Sequence, residues 1–181
     1  MKLWTRTLGI VLLLAGLVQP LGAEAGSLHA KLESFRPLLG KTWAGEFPPS
    51  PSGAKVTDVV RFERALNGSA VRALHSLNDG AYGGETLFLW DESAGELVFY
   101  YFTTQGFVTK GVMKEGPKGT FVSVEKVDDP AKADGVSEVK SEFVIEKGRY
   151  VSSSQYLKAG EWVPGHGATY LPAPDREVKF R

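Results

Sequence analysis

The side chains able to do chemistry in this 181-residue chain are few and scattered. His75 and Asp58 lie on neighbouring hydrophobic runs, and a carboxylate that orients an imidazole makes a general acid–base pair. The same two groups can instead satisfy each other as an interior hydrogen bond. Arg64 carries the forked guanidinium that grips a ligand carboxylate through two parallel hydrogen bonds. Its plainer roles are an ion pair with Asp58 or a strand-end arginine reaching water. His166 sits in Pro164-Gly165-His166-Gly167, where glycine leaves room for a metal or a haem to approach; a turn residue is the alternative. His29, His75 and His166 are too widely spaced for a His-x-x-x-His metal site. Asp128, Asp129 and Asp134 lack the alternating ligand spacing of a calcium loop, so no metal is expected. Nor is there a Gly-x-Ser-x-Gly, P-loop or dinucleotide fingerprint.

Strands must position these groups. One helix is predicted over Ser27–Leu39, where Leu28, Leu32, Phe35 and Leu39 build one apolar face, with Ser27 as N-cap and Gly40 as stop. Beyond Gly40 the hydrophobic period changes to two. Strands are predicted near 41–47, 55–66, 69–78, 85–91, 96–104, 107–115, 120–127, 136–146, 149–158 and 161–171. Asn67-Gly68, Gln105-Gly106, Lys147-Gly148 and Ala159-Gly160 read as tight hairpins, while Gly80–Gly84 reads as a flexible loop that opens no helix and so cradles no phosphate. Sequential hairpins make an antiparallel meander. With about ten strands, closure into an up-and-down barrel removes the exposed edges; a two-sheet sandwich is the alternative.

Hairpin register then sorts the side chains. A two-residue Asn67-Gly68 turn places Glu63 opposite Arg72 on the outside and puts Asp58, Val60, Phe62, Arg64, Val71, Ala73, His75 and Leu77 inside. A Lys147-Gly148 turn puts Val139, Ser141, Phe143 and Ile145 inside, opposite Tyr150, Ser152, Ser154 and Tyr156. A two-residue Gln105-Gly106 turn sets Tyr100 and Phe102 inside against Phe107, Thr109, Gly111 and Met113. So many hydroxyls and charges are costly in a solid core. An interior cavity able to hold a small apolar or amphipathic ligand removes the conflict.

The composition narrows the partners and suggests an address. Lysine plus arginine and aspartate plus glutamate number 21 each, giving a formal net charge of zero, which leaves no basic excess for nucleic acid. The run Phe99-Tyr100-Tyr101-Phe102 has no interleaved basic residues, so core packing explains it better than base stacking. Zero cysteines exclude thiol catalysis, zinc on sulfur, iron–sulfur clusters and disulfides. Met1–Arg6 is a short basic start, Leu8–Val18 is apolar, Pro20 and Gly22 break it, and Ala23-Glu24-Ala25 follows as a small-x-small site. That order predicts a signal peptide over residues 1–25, an exported (periplasmic or secreted) domain over 26–181, and no membrane span after cleavage.

The segment Leu38-Leu39-Gly40-Lys41-Thr42-Trp43-Ala44-Gly45-Glu46-Phe47, after a short helix and before a ten-strand meander, resembles the calycin group of lipocalins, fatty-acid-binding proteins and nitrobindin-type barrels. Phe62-Glu63-Arg64-Ala65-Leu66-Asn67-Gly68 and Phe88-Leu89-Trp90-Asp91 are similar to segments of small exported bacterial lipocalin-like domains of unknown function. The resemblance implies an all-β barrel of about ten strands, a plug role for Trp43 at the closed end, and a small-ligand-binding function. The hairpin registers make Asp58, Arg64, His75, Tyr100, Tyr150, Ser152 and Tyr156 the candidate interior residues. Nitrobindin-type barrels bind haem through a late histidine, which His166 matches only in position. No cofactor is therefore expected. A hydrolase or isomerase using His75 and Asp58, and a haem barrel on His166, stand as alternatives to plain ligand binding.

Overall fold

The computed structural model describes residues 26–48 and 53–181; the predicted leader over 1–25 lies outside the described residues. Ten strands form one closed antiparallel barrel: β1 (Thr42–Phe47), β2 (Val56–Ala65), β3 (Ala70–Leu77), β4 (Tyr82–Asp91), β5 (Glu96–Thr103), β6 (Val108–Glu115), β7 (Thr120–Val127), β8 (Val136–Glu146), β9 (Arg149–Lys158) and β10 (Glu161–Pro172). Each strand pairs with its sequence neighbour, and β1 closes the ring against β10 with Trp43 opposite Pro172. The expected up-and-down barrel is what the chain forms. Closure leaves no unpaired edge.

Three of the four predicted tight hairpins carry the expected register, Ala159-Gly160 with Glu161 opposite Lys158 among them. Glu63 opposes Arg72 and Ala65 opposes Ala70, with Asn67 and Gly68 both at positive φ, as a two-residue turn matched to strand twist requires. Glu146 opposes Arg149, which turns Phe143, Ile145, Tyr150 and Ser152 inward together. The Gln105-Gly106 hairpin differs. Thr104, Gln105 and Gly106 form a three-residue loop, closed by Gly106 N–H donating to Thr103 O at 3.0 Å with Gly106 at φ +74°. One extra loop residue slips the pairing by one, so Tyr101 opposes Thr109 and Tyr100 opposes Lys110. Tyr101 and Phe99 therefore face inward, and Tyr100 and Phe102 line the outer wall.

Two further elements depart from expectation. The N-terminal helix is a 3-10 helix over Ala30–Leu38, and its first turn is capped by His29 Nδ1, which accepts from Lys31 N at 3.3 Å. Ser27 does not cap it; its carbonyl accepts from Arg64 Nε at 2.9 Å. The helix buries Leu32, Phe35 and Leu38 into one end of the barrel, which makes that end the closed one. The glycine-rich segment expected as a loop begins β4 at Tyr82 instead. Gly83 and Gly84 sit in the sheet because a Cβ at either position would strike a neighbouring strand, His75 O for Gly83 and the Tyr101 ring for Gly84.

The C-terminal tail after β10 returns across the outer wall. Ala173 N donates to Thr42 O at 2.8 Å, and Lys179 N donates to Ser76 Oγ at 3.0 Å, with Lys179 Nζ on Asp79. Val59 and Ser76 point outward by register and are nonetheless 7% and 1% exposed, because the tail covers them.

Candidate functional site

The interior changes character along the barrel axis. Beneath the helix, Trp43, Phe62, Phe99, Phe121 and Tyr150 form a continuous apolar cluster with Leu32, Phe35 and Leu38. Trp43 lies directly under the helix and donates its indole N–H to Leu38 O at 3.2 Å. Tyr150 stacks on Tyr170 with ring centroids 4.3 Å apart and meets Trp43 edge-on at 5.6 Å. It is a packing residue of the closed half. Burial pushes its hydroxyl well up.

Above this layer, toward the ends of the strands away from the helix, the inward side chains become polar. A chain of hydrogen bonds links five strands. Tyr170 donates to Asp58 Oδ2 at 2.8 Å, Asp58 Oδ1 lies 3.0 Å from His75 Nδ1, His75 Nε2 lies 2.7 Å from the Tyr101 hydroxyl, and that hydroxyl lies 2.7 Å from the Tyr82 hydroxyl. Asp58 is only 4% exposed, so these partners replace the water it has lost. The hairpin register puts Asp58 and His75 diagonally on one inner face, and the structure brings their side chains together. Tyr101 and Tyr82 complete the arrangement. Burial raises both hydroxyls, and the negative charges of Asp58 and Glu125 act in the same direction.

Glu125 is the residue that sequence reasoning missed. It lies on β7 opposite Gly111 and Val139, among the inward positions Phe121, Ser123 and Val127. Thr109 donates its hydroxyl to Glu125 Oε2. Protein encloses nearly all of the carboxyl, and burial pushes it up to about 6. Period-two alternation does not single it out, because the phase Phe121, Ser123, Glu125, Val127 is no more apolar than Thr120, Val122, Val124, Lys126.

His166 and Tyr156 occupy the rim. The bulge between Pro164 and Gly167 sets Gly165 and His166 against the single residue Ser154, which turns the imidazole toward the Tyr156 hydroxyl. Gly165 permits this, because any side chain there would meet Ser154 Oγ and the Tyr156 ring. The Tyr156 hydroxyl lies 2.6 Å from His166 Nδ1, and the imidazole stacks on Phe47 at 4.8 Å. Burial holds His166 below its ordinary value, Asp58 opposing and Lys158 adding to the shift. These surroundings do not fit a haem. One face of the imidazole is covered by Phe47, and the space inward of it presents tyrosine hydroxyls and two carboxylates where a porphyrin needs apolar walls.

Two expected interior residues lie elsewhere. Arg64 is exposed at the closed end, where its guanidinium donates to the carbonyls of Ser27 and Asn67; it is the last charged residue of β2, beyond the packed layer, and is already bound to backbone. Tyr100 lies outside beneath Lys110, whose ammonium is 5.4 Å from its ring centroid, because of the three-residue β5–β6 loop. Ser152 does face inward, opposite Phe143 and Ala168, at the boundary between the apolar and polar halves.

The loop aspartates are engaged in structural pairs: Asp128 accepts from Val108 N at 2.8 Å, Asp129 meets Lys132, and Asp134 meets Lys158 at 2.7 Å. Among the described residues no three histidines or carboxylates converge on a metal-sized site, and no helix is long and apolar enough to cross a membrane. On the outer surface of the closed end, a groove of about 400 Å³ runs between Lys31, Trp90, Met113 and Lys114. It is an open furrow beside the helix, apart from the polar interior.

No protein-family model matches the chain, and no curated protein matches it. Among solved structures, the crystal structure of Rv2717c from M. tuberculosis is similar at a TM-score of 0.59 and 14% identity, over 81% of this chain and 99% of that one. At that identity the likeness speaks for the fold, and the chain is a closed ten-stranded antiparallel β-barrel that shares its architecture with Rv2717c.

Proposed function

We propose that this protein is an exported calycin-type barrel that holds a small apolar or amphipathic ligand in the open half of its interior. The observation that supports this most is the persistence of solvent exposure at side chains that register turns inward. Ser141, Ser152, Ser154 and Tyr156 face the barrel axis on β8 and β9, yet each is only half-buried. Their exposure supports an interior that is not completely filled on the β8–β9 side, while Phe107, Val127 and Val136 pack together on the β6–β8 side. The packed aromatic layer forms the floor, and Tyr82, Tyr101 and Tyr156 supply orienting hydroxyls above it.

Native mass spectrometry of gently purified protein tests the reading. The expected spectrum carries a bound mass that denaturation releases. Repeatedly ligand-free spectra, together with exclusion of the neutral apolar dye Nile red, would sink it. Export has its own readout, since the secreted protein is expected to begin at Gly26.

A second reading rests on the Asp58–His75 pair. Oriented by the carboxylate, the imidazole can exchange a proton through Tyr101 to Tyr82, so acid–base chemistry would emerge at the Tyr82 hydroxyl. In a hydrolase or isomerase of this kind, Tyr82→Phe abolishes turnover while ligand uptake persists. Equal loss of both on that substitution favours plain binding.

A further inference from the structure

The charges inside the mouth indicate what class of molecule the chamber takes, given the binding role proposed above. Two carboxylates face the axis from β2 and β7, strands that stand on opposite sides of the ten-strand ring. Asp58 is satisfied by His75 and Tyr170. Glu125 is not. Thr109 occupies one of its oxygens, and among the described residues no lysine or arginine forms an ion pair with it.

Two of the positive groups are committed elsewhere. Lys158, at the rim, is held by Asp134 at 2.7 Å, and Arg64 is tied to backbone carbonyls at the far end. Glu125 lies deep in the barrel, yet part of its surface still touches water. Its negative charge is therefore enclosed and uncompensated, on a residue that keeps some exposure. An enclosed carboxylate without a cation is unfavourable, and a positive group delivered by a ligand relieves it. A ligand carboxylate would instead add a third negative charge.

The walls match the same chemistry. Tyr82 lies within electrostatic reach of Glu125, Asp58 and Tyr156, which gathers three tyrosine-bearing walls around the space between the carboxylates. Phe47 closes the rim against His166. Aromatic faces beside an anion attract an organic ammonium and leave its apolar body room to pack.

We propose that the mouth chamber binds a small organic cation, a protonated amine on an apolar body, with the ammonium directed to Glu125 and the tyrosine rings around it. This inverts the expectation drawn from Arg64, which had pointed to a carboxylate ligand.

Isothermal titration calorimetry at pH 8 and low salt tests this with three probes of similar shape: 2-phenylethylamine, 2-phenylethanol and 3-phenylpropionate. The amine is expected to bind about tenfold or more tightly than the alcohol, and the propionate more weakly than either. Glu125→Gln is expected to erase the advantage of the amine while leaving the alcohol unchanged. Equal binding of the three probes, or preference for the propionate, overturns the cation proposal and leaves the chamber standing. An amine advantage that survives Glu125→Gln overturns the role of Glu125. No binding by any probe, with Nile red also excluded, overturns the chamber and the cation reading together.

Discussion

At the scale of single residues, Glu125 is the group whose environment has the clearest thermodynamic signature. Its carboxyl titrates near 6 in the folded barrel against an ordinary value of 4.5. The folded state thus binds this proton more tightly than the unfolded chain does. Below about pH 4.5 both states are protonated and Glu125 is neutral to stability; as pH rises toward 6 a destabilising contribution grows, and above 6 it is constant. Its size is about 2 kcal/mol. Glu125→Gln should therefore match wild type in urea unfolding at pH 4 and exceed it by about 2 kcal/mol at pH 8; equal stability at both pH values would contradict the buried charge. The Asp58–His75 pair was legible in the sequence because one Asn-Gly turn fixes which residues share a face. Glu125 was not, since nothing in the β6–β7 connection announces its register as clearly.

The strands and turns show why legibility varies from element to element. Asn67-Gly68 accepts positive φ at both central positions, which leaves a single well-matched turn and hence a single register. Gln105-Gly106 offers positive φ only at glycine, and that is compatible with two loop lengths. The longer one exchanges Tyr100 for Tyr101 in the interior. The segment Tyr82-Gly83-Gly84 misleads in a different way: glycine content signals flexibility, but these glycines serve close packing inside a sheet. Gly111 on β6 plays the same part, its missing side chain filled by the ring of Phe99 from the paired strand. Gly111→Ala should cost about 1–3 kcal/mol through overpacking, measured as a lower urea midpoint with an unchanged slope. The helix was recognisable from its apolar spacing, but Pro37 and the early docking of Ser27 onto Arg64 make it shorter and tighter than the period alone suggests.

For the whole molecule, stability rests on sheet closure, a buried aromatic floor and a tail that returns to the wall. The tail buries Val59 and Ser76 and ties the closed end to the β3–β4 turn through Lys179 and Asp79. Ending the chain after Ala173 should lower stability by about 2 kcal/mol, the worth of one re-exposed apolar side chain, and the melting temperature by roughly 4–8 °C. An unchanged melting temperature would show that the tail merely rests on the surface. The barrel itself was predictable as a class because ten period-two runs with short turns leave few other ways to hide their edges. What fills its interior was not, because that depends on loop lengths and on which side chains glycine lets in.

Pairing the first strand with the last has a kinetic consequence. β10 leaves the ribosome after every other strand, and at roughly 5–20 residues per second several seconds pass before β1 meets its partner. Until then the nascent sheet has two open edges and its aromatic floor lacks Tyr170, which β10 supplies. The chain therefore remains extensible throughout its synthesis and completes its structure in one late, long-range step. For a chain exported as proposed above, that order of events keeps it able to thread a narrow pore before it folds.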